Sequence, residues 1–270
     1  MSYPGLPLKS ALQQTWSRIG EGTLNLVYPR TCRACQAGLT AFEQPSGLTD
    51  WLCTPCLEEL TAIEPPYCSV CGEAFAGAME RAFKCSNCDG RRMAFDFAIS
   101  GFKAAGPLRE LVHHFKYSGD LTLRGVLAEA LIRTLSEPRL APEDLSAWVL
   151  VPVPLHWLRE MRRGFNQSWE LCRELSARTG IPTAQIIRRK RLTSTQARLN
   201  RHERLENLRG VFALRRSFPL SGWRRLDIRG KKVLLVDDVL TTGATAHECA
   251  KVLKREAGAE KVVVITAARG

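Results

Sequence analysis

Two neighbouring carboxylates and a turn rich in hydroxyl groups lie close together near the end of the chain. The carboxylates are Asp237 and Asp238, and the turn that follows them consists of Thr241, Thr242, Gly243, Ala244 and Thr245. Carboxylates accept hydrogen bonds from sugar hydroxyls or coordinate Mg²⁺. Hydroxyl donors, and free backbone N–H groups at a helix start, bind phosphate instead. The combination indicates a site for a 5-phosphorylated ribose.

The flanking sequence predicts the elements that position these groups. Residues 233–236 form a short continuous apolar run, typical of a parallel strand buried on both faces, and ligands of open α/β sheets bind at the carboxyl ends of such strands. The turn leads into a helix that Gly258 ends, and the next buried strand covers 262–265. The apolar residues on one face of that helix are Ala246, Cys249, Ala250, Leu253 and Ala257. The alternative interpretation is a solvated acidic strand end followed by an ordinary helix cap.

Two other nucleotide-binding motifs are absent from the sequence. The chain contains neither the G-x-x-x-x-G-K-[ST] loop of nucleoside triphosphatases nor the G-x-G-x-x-G fingerprint of dinucleotide-binding domains. The carboxylates and the turn therefore point to a ribose phosphate rather than to those two ligand classes.

Eight of the ten cysteines form four pairs with the same Cys-x-x-Cys spacing. Each pair provides one tight turn with two thiolates, and two such turns complete a tetrahedral zinc site. The spacing predicts two structural zinc ions, because four sulfur ligands leave no open position for a substrate. Disulfides are the alternative, although a reduced cytoplasmic chain disfavours them. The predicted ligand sets are Cys32, Cys35, Cys53 and Cys56, and Cys68, Cys71, Cys85 and Cys88.

The composition is that of a globular protein of one large and one small domain. The chain has 270 residues, of which 45% are hydrophobic and 24% are charged. No apolar run reaches the roughly 18 residues of a membrane span, and the start does not resemble a secretion signal, so we expect a cytoplasmic protein. Apolar residues between Leu8 and Ile19 recur at helical spacing, which favours a helix docked on this protein over a membrane anchor.

The ribose-phosphate segment resembles the motif by which phosphoribosyltransferases bind phosphoribosyl diphosphate. Three additional motifs point to one family among the proteins that carry it. Taken together with the cysteine pairs, these motifs make the chain similar to the ComF/GntX family of competence-related proteins from Leu26 onwards. The resemblance implies phosphoribosyl diphosphate as ligand, Mg²⁺ on its diphosphate, and a role in DNA uptake. The additional motifs are Phe115-Lys116-Tyr117 with Gly119-Asp120, Val151-Pro-Val-Pro154, and Arg162-Arg-Gly-Phe-Asn-Gln-Ser168.

The expected fold is α/β, since short apolar runs alternate with helical patterns after residue 95. We expect a type I phosphoribosyltransferase-like parallel sheet of about five strands with helices on both faces, preceded by a small double zinc ribbon in which four cysteines bind each ion. The assigned domains are an N-terminal helical segment at 1–28, the zinc ribbon at 29–92 and the phosphoribosyltransferase-like domain at 93–270. The expected strands lie at 97–102, 150–153, 184–188, 233–236 and 262–265.

The net positive charge of the chain comes from the large domain alone. Residues 1–90 carry 6 Lys and Arg against 9 Asp and Glu, whereas residues 91–270 carry 33 against 18. Eight thiolates with two Zn²⁺ make the small domain still more negative, which argues against a nucleic-acid-binding zinc module. A protein contact, with a DNA-uptake protein under the family resemblance, is the better expectation for the ribbon.

Arginines concentrate in two segments that can bind polyanions. The run 188–209 contains Arg191, Gln196 and Arg198, which resemble a loop that closes over diphosphate in amidophosphoribosyltransferase-like enzymes. A nucleic-acid-binding strip and a solvated basic face are the alternatives. Arg162 and Arg163 follow the first core strand, where phosphoribosyltransferases bind diphosphate, and they are further candidates for that ligand.

Two functions of different classes fit these residues. The first is an enzyme that transfers phosphoribosyl to an acceptor that the sequence does not identify. The second is a non-catalytic accessory of DNA uptake that binds single-stranded DNA, although the aromatic residues available for base stacking are few. The candidates for stacking are Phe165, Trp169, Phe212 and Trp223, of which the first three fit core packing better.

Overall fold

The computed structural model describes residues 30–39, 47–75, 77, 83–140, 142–191, 208–215 and 227–270. The predicted N-terminal helical segment at 1–28 lies outside these ranges, and so do Gln196 and Arg198. The predicted domain boundaries therefore stay predictions.

The main sheet consists of four parallel strands in the order β1-β6-β5-β2, and a separate antiparallel pair is formed by β3 and β4. In chain order the strands are β1 (Phe97–Lys103), β2 (Val149–Pro152), β3 (Ile187–Arg189), β4 (Phe212–Leu214), β5 (Lys232–Leu240) and β6 (Lys261–Arg269). The parallel α/β fold expected from the sequence is confirmed.

The expectation of a fifth parallel strand at 184–188 is wrong. Next to β2 the chain makes a single parallel bridge, between Leu150 and Thr183, and then turns away to form β3. The Leu150 N–H donates outwards to the carbonyl of Pro182. The next outward position on β2 is Pro152, which has no N–H to continue the ladder. A proline at the sheet edge therefore limits the sheet to four strands among the residues described.

The helices cover both faces of the sheet, as expected. They are α1 (Thr54–Glu58), α2 (Gly106–Tyr117), α3 (Arg124–Ile132), α4 (Trp157–Arg163), α5 (Gln167–Thr179) and α6 (Ala244–Arg255). Short 3-10 turns at Leu121–Leu123 and Arg133–Ser136 flank α3. Within the described ranges, no helix has the length and apolar character needed to cross a membrane.

Successive residues of β5 divide the core into two layers. Leu234 and Val236 pack with α2, α3 and α5 on one face, whereas Val233 and Leu235 pack with α6 on the other. This alternation follows from the two-residue period of a strand. Burial on both faces explains why the strand appears in the sequence as a continuous apolar run.

The cysteine-rich segment covers the outer edge of β1. Its Ile63 N–H donates to the carbonyl of Gly101 (3.1 Å), and the Lys103 N–H donates to the carbonyl of Thr61 (2.8 Å). The Ala98 N–H likewise donates to the carbonyl of Val70 (2.8 Å). An uncovered edge presents unpaired backbone groups to other chains. The segment therefore completes the sheet of the large domain as well as carrying the cysteines.

We predict that Gly101→Ala destabilises the protein. A Cβ at this position would collide with the carbonyl oxygen of Ala130 on α3, and backbone cannot move aside as a flexible side chain can. Overpacking of this kind costs about 1–3 kcal/mol in the free energy of unfolding, to be measured by denaturant titration. Gly38→Ala is the control, since a Cβ there meets no atom within 4 Å. Equal stability of the two variants would contradict this packing.

Candidate functional site

The predicted ribose-phosphate residues lie along one continuous path from strand to helix. Asp237 and Asp238 lie in the second half of β5, between β2 and β6. The chain then turns through Thr241 and Thr242 into α6, whose N-cap is Gly243. Gly243 has a φ of +74°, a left-handed conformation that residues with a Cβ rarely adopt. The glycine thus allows the sharp entry that leaves the first N–H groups of α6 facing the strand end.

Asp238 forms an ion pair with Lys116 from the last turn of α2. The Lys116 Nζ lies 2.9 Å from Oδ2 of Asp238, whose side chain is only 4% exposed. Its other oxygen, Oδ1, accepts a hydrogen bond from the Val239 N–H (2.9 Å). Burial lowers the pKa of Lys116, but the attraction of Asp238 outweighs it and the net shift is upwards. A buried carboxylate needs such a partner, and Lys116 supplies the counter-charge for Asp238.

Asp237 is held by Ser168 in the first turn of α5. The Ser168 hydroxyl donates to Oδ1 of Asp237 (2.9 Å), and the Asp238 N–H donates to the same oxygen (3.0 Å). Burial and the neighbouring charge of Asp238 raise the pKa of Asp237 to about 7, although Lys116 and these hydrogen bonds act in the opposite direction. A pKa near 7 lets Asp237 keep a proton in neutral solution.

The donor set at this strand end fits a magnesium ion. Mg²⁺ in proteins is bound by one or two carboxylates together with phosphate oxygens and water. The second carboxylate oxygen of Asp237 accepts no hydrogen bond from the described residues, so it is available as a ligand. A divalent cation would also replace the proton that the pKa near 7 retains on this group.

The arginine candidates lie at different distances from the carboxylates. Arg163, at the end of α4, is partly buried, donates to Oε1 of Gln167 (2.5 Å) and lies above the Tyr117 ring at 5.4 Å. Desolvation lowers its pKa, and attraction by Asp238 opposes that change. Arg162 is exposed beside it, and Arg191 is exposed just after β3. Among the described arginines predicted as diphosphate ligands, Arg163 lies close enough to Asp237 and Asp238 to interact with both carboxylates electrostatically.

Two residues of the site were not assigned a role from the sequence. Lys116 and Ser168 belong to the additional motifs of the family resemblance, but their spacing along the chain gives no indication that they meet the carboxylates. Lys116 follows the buried Phe115 on an amphipathic helix, where a lysine ordinarily extends into solvent. Ser168 is buried and lies two residues after the N-cap Asn166. At this position the backbone N–H ordinarily donates to the cap side chain, and no role for the side-chain hydroxyl is expected.

The eight paired cysteines form two clusters with the predicted membership. Within each cluster the four sulfur atoms lie within 4.8 Å of one another; the sulfurs of Cys35 and Cys53 are 3.6 Å apart, and those of Cys71 and Cys85 are 3.5 Å apart. Tetrahedral zinc with Zn–S bonds of about 2.3 Å requires sulfur atoms roughly 3.8 Å apart. The donor set and its spacing therefore fit two structural zinc sites, each with four cysteine ligands.

Arg269, at the end of β6, connects the second cluster to the turn predicted to bind phosphate (residues 241–245, the phosphate turn). Its guanidinium lies 3.7 Å from the Cys71 sulfur and forms an ion pair with Glu73. The same group donates to the carbonyl of Leu240 (3.0 Å), the residue before Thr241. Since Arg269 is only 6% exposed, solvent does not weaken these contacts. The zinc ribbon and the phosphate turn thus share one buried cation.

Comparisons with known proteins identify the same two parts. A double zinc ribbon domain matches residues 23–89, and a phosphoribosyl transferase domain matches residues 161–270. Competence protein F of Haemophilus influenzae is 31% identical over 81% of this chain and 90% of its own length. DNA utilization protein YhgH of Salmonella typhimurium is 31% identical over 87% and 95%. Competence protein ComFC of Bacillus subtilis is 25% identical over 81% and 84%.

We predict that the purified, reduced protein contains two zinc ions per chain. Cys53→Ser removes a ligand of the first cluster and should reduce the zinc content to one ion, measured by mass spectrometry of the native protein. Cys172→Ala is the matched control, because this buried cysteine belongs to neither cluster. Retention of both ions by Cys53→Ser, or loss of both, would contradict two independent sites.

The raised pKa of Asp237 predicts an effect on stability that depends on pH. Between about pH 4 and pH 7 the folded protein keeps a proton that the unfolded chain releases, so stability falls as the pH rises. Asp237→Asn removes this penalty and should increase the free energy of unfolding by at least about 1 kcal/mol at pH 8, with a smaller gain at pH 4.5. Thermal unfolding at both pH values measures the difference.

Asp227→Asn is the control for this measurement, since the Asp227 side chain is 73% exposed. It should change stability little at either pH. A gain at Asp237→Asn that is the same at pH 4.5 and pH 8 would mean that burial does not raise the pKa of this carboxyl.

Proposed function

The chain belongs to the ComF/GntX family of competence and DNA-utilization proteins, and from this membership we propose that it binds phosphoribosyl diphosphate with Mg²⁺ at the carboxyl end of β5. The observation that supports the proposal most is the arrangement of Asp237 and Asp238 beside the turn into α6. Acceptors for sugar hydroxyls and donors for phosphate lie there in one continuous segment. An ordinary strand end would not need a partly buried lysine and a buried serine to support its carboxylates.

In this proposal the 5-phosphate occupies the turn from Thr241 to Thr245. The free N–H groups of α6 and the threonine hydroxyls donate to it, and the positive end of the helix dipole adds to the attraction. The 2′ and 3′ hydroxyls of ribose donate to Asp237 and Asp238. Asp237 and Asp238 would hold Mg²⁺, which would offset the negative charge of the diphosphate.

The diphosphate lies towards Arg162 and Arg163 at the end of α4. Guanidinium groups match phosphate oxygens in geometry and stay charged when partly buried. Arg191, Gln196 and Arg198 belong to the segment that closes over the diphosphate and excludes water from it. Arg162 and Arg163 lie on α4, which follows β2 in the chain, and β2 is a neighbour of the strand that carries the carboxylates.

As an enzyme, the protein would transfer phosphoribosyl from the diphosphate to an acceptor. The Lys116 ion pair and the Ser168 hydrogen bond fix the two carboxylates before the ligand arrives, so the ribose is oriented without further ordering of the protein. The arginines stabilise the charge that develops on the departing diphosphate. For the zinc ribbon we propose contact with a protein of DNA uptake, since its segment of the chain is acidic.

A second candidate function is binding of single-stranded DNA, and one observation favours it. Trp157 on α4 is 57% exposed and lines a cavity of about 220 Å³ with Arg188, Arg189 and Arg215. An exposed indole beside guanidinium groups is the combination on which bases stack and phosphates bind. The sequence did not single out Trp157 for this role.

We predict that Asp237→Asn combined with Asp238→Asn weakens binding of phosphoribosyl diphosphate at least tenfold, a loss of about 1.4 kcal/mol. The substitutions remove the acceptors for the ribose hydroxyls and the ligands for Mg²⁺. Calorimetry in the presence and absence of Mg²⁺ measures the effect, and Asp227→Asn controls for loss of surface charge. Unchanged affinity in the double variant would remove the proposed site.

The arginine segment distinguishes the two functions. If it closes over the diphosphate, Arg191→Ala with Arg198→Ala should weaken binding of phosphoribosyl diphosphate several-fold and leave thermal stability unchanged. If it is a DNA-binding strip, the same variant should lose affinity for oligonucleotides of any sequence, with a salt slope reduced by up to about 0.7 for each lost phosphate contact. Arg229→Ala, at an 83% exposed arginine, is the control. No change for either ligand would leave a solvated basic face.

A further inference from the structure

Arg269 is a buried charge at the carboxyl end of the sheet. It ends β6, where its register partner on β5 is Leu240, and it is only 6% exposed. A guanidinium that is removed from water needs an anion beside it. Among the residues described, Arg269 contacts the Glu73 carboxylate and the sulfur of Cys71, which is a thiolate when it binds zinc. The zinc ribbon therefore supplies the counter-charge for a residue of the large domain.

The positions of both anions depend on the second cluster. Cys71 is one of its four cysteines, and Glu73 follows two residues later. The Cys68 N–H donates to the carbonyl of Glu73 (2.8 Å), which closes the turn on which both anions lie. The buried core of this part of the ribbon is formed by Cys68, Cys71 and Cys88, which are themselves metal ligands. A segment of this kind depends on the metal for its structure.

Arg269 also fixes the peptide through which the chain enters the phosphate turn. Its Nη1 donates to the carbonyl of Leu240 (3.0 Å), and the Gly270 N–H donates to the same oxygen (2.9 Å). That carbonyl and the Thr241 N–H belong to one planar peptide, so a fixed oxygen sets the direction of the N–H. The Thr241 N–H is the first backbone donor of the phosphate turn.

The chain that leaves the second cluster covers the other end of the phosphate turn. The Ala94 N–H donates to Nδ1 of His247 in the first turn of α6 (3.0 Å). A Cβ added at Gly243, the N-cap of α6, would lie 3.8 Å from Met93, so this side chain packs against the cap. Met93 also packs against the cysteines of the second cluster. The second cluster is thus connected to the phosphate turn at both of its ends.

The first cluster lies against a different part of the large domain. Its Cys32 and Cys56 belong to the core layer formed with α2, α3 and α5. The start of α6, with Ala244 and Ala246, belongs to the opposite layer. The two zinc sites have the same ligand types, but among the described residues it is the second that adjoins the phosphate turn.

We propose that Arg269 is a positioning residue for the phosphate turn, and that zinc in the second cluster raises the affinity of this turn for a 5-phosphate through it. The inference rests on the proposed function, which places the 5-phosphate at the turn. With zinc bound, Arg269 keeps its counter-charges and holds the Leu240 carbonyl, so the Thr241 N–H stays directed towards the phosphate. Without zinc the guanidinium loses these partners. Because coupling between two binding sites is reciprocal, phosphoribosyl diphosphate also strengthens the binding of zinc to the second cluster.

The test compares the loss of each zinc ion in the full-length protein. Cys85→Ser removes a ligand of the second cluster and leaves both anions beside Arg269 unchanged, so its effect has to pass through the metal. We expect it to weaken binding of phosphoribosyl diphosphate fivefold or more, measured by calorimetry with Mg²⁺. Cys53→Ser, its counterpart in the first cluster, should change this affinity less than twofold. Native mass spectrometry identifies the ion lost from each variant.

Arg269→Lys tests the positioning residue itself. The lysine keeps the charge but replaces a planar fork by a single ammonium, so it cannot hold the ribbon anions and the Leu240 carbonyl together. We expect both zinc ions to be retained, weaker binding of phosphoribosyl diphosphate, and faster amide hydrogen exchange at residues 241–245. Arg229→Lys, at an exposed arginine, is the matched control. A purely structural role would lower the melting temperature of Arg269→Lys and leave both other measurements unchanged.

The outcomes separate this inference from the proposed function. If the wild type binds phosphoribosyl diphosphate and Cys85→Ser binds it equally well, or no worse than Cys53→Ser, the inference is overturned and the proposed function stands. If the wild type does not bind it, the proposed function fails, and hydrogen exchange decides the coupling. Faster exchange at residues 241–245 in Cys85→Ser than in Cys53→Ser supports the coupling, and equal exchange removes it. Should Cys85→Ser not fold, Arg269→Lys, which keeps every zinc ligand, decides between the same outcomes.

Discussion

The repulsion between Asp237 and Asp238 is the constraint around which this end of the sheet is built. Two carboxylates in adjacent positions of a strand that is buried on both faces cannot both be ionised without compensation. The fold supplies that compensation from two separate helices, through the Lys116 ammonium on α2 and the Ser168 hydroxyl on α5. Because α2 and α5 also pack on the sheet through their apolar faces, any shift of either helix would expose or unpair a buried charge. The hydrophobic core and the polar site therefore stabilise the same arrangement of helices.

A second constraint joins the zinc ribbon to the large domain. Backbone hydrogen bonds from Ile63 and Lys103 cover the edge of β1, and Arg269 bridges Cys71 and the carbonyl of Leu240. A segment with little apolar core depends on metal for its structure. Zinc bound at the second cluster would fix the position of Cys71, and Arg269 joins Cys71 to the carbonyl of Leu240, directly before the phosphate turn. The two parts that the family comparisons separate are, by this buried contact, one structural unit at the site.

Much of this arrangement could be predicted from the sequence, and the remainder depends on contacts between distant residues. The strand with Asp237 and Asp238 and the cysteine clusters could be predicted because each is defined by a short segment and its spacing. The fifth strand was predicted from apolar residues near Ile187, which are in fact buried in the antiparallel pair β3 and β4. A fifth parallel strand would have needed a backbone N–H donor at position 152 of β2, and Pro152 has none. Lys116 could not be assigned because its partner lies more than one hundred residues further along the chain.

The difference between the two carboxylates also constrains how a cation can bind. Asp238 already has Lys116 as its counter-ion, so the charge of a metal ion is needed most at Asp237, whose pKa near 7 lets it keep a proton in neutral solution. If Mg²⁺ binds as proposed, it would replace that proton and compensate the charge of the Asp237 carboxylate. Proton and magnesium then compete for one oxygen atom. A site of this kind stays stable without its ligand and still becomes a strong acceptor for ribose hydroxyls when magnesium diphosphate arrives.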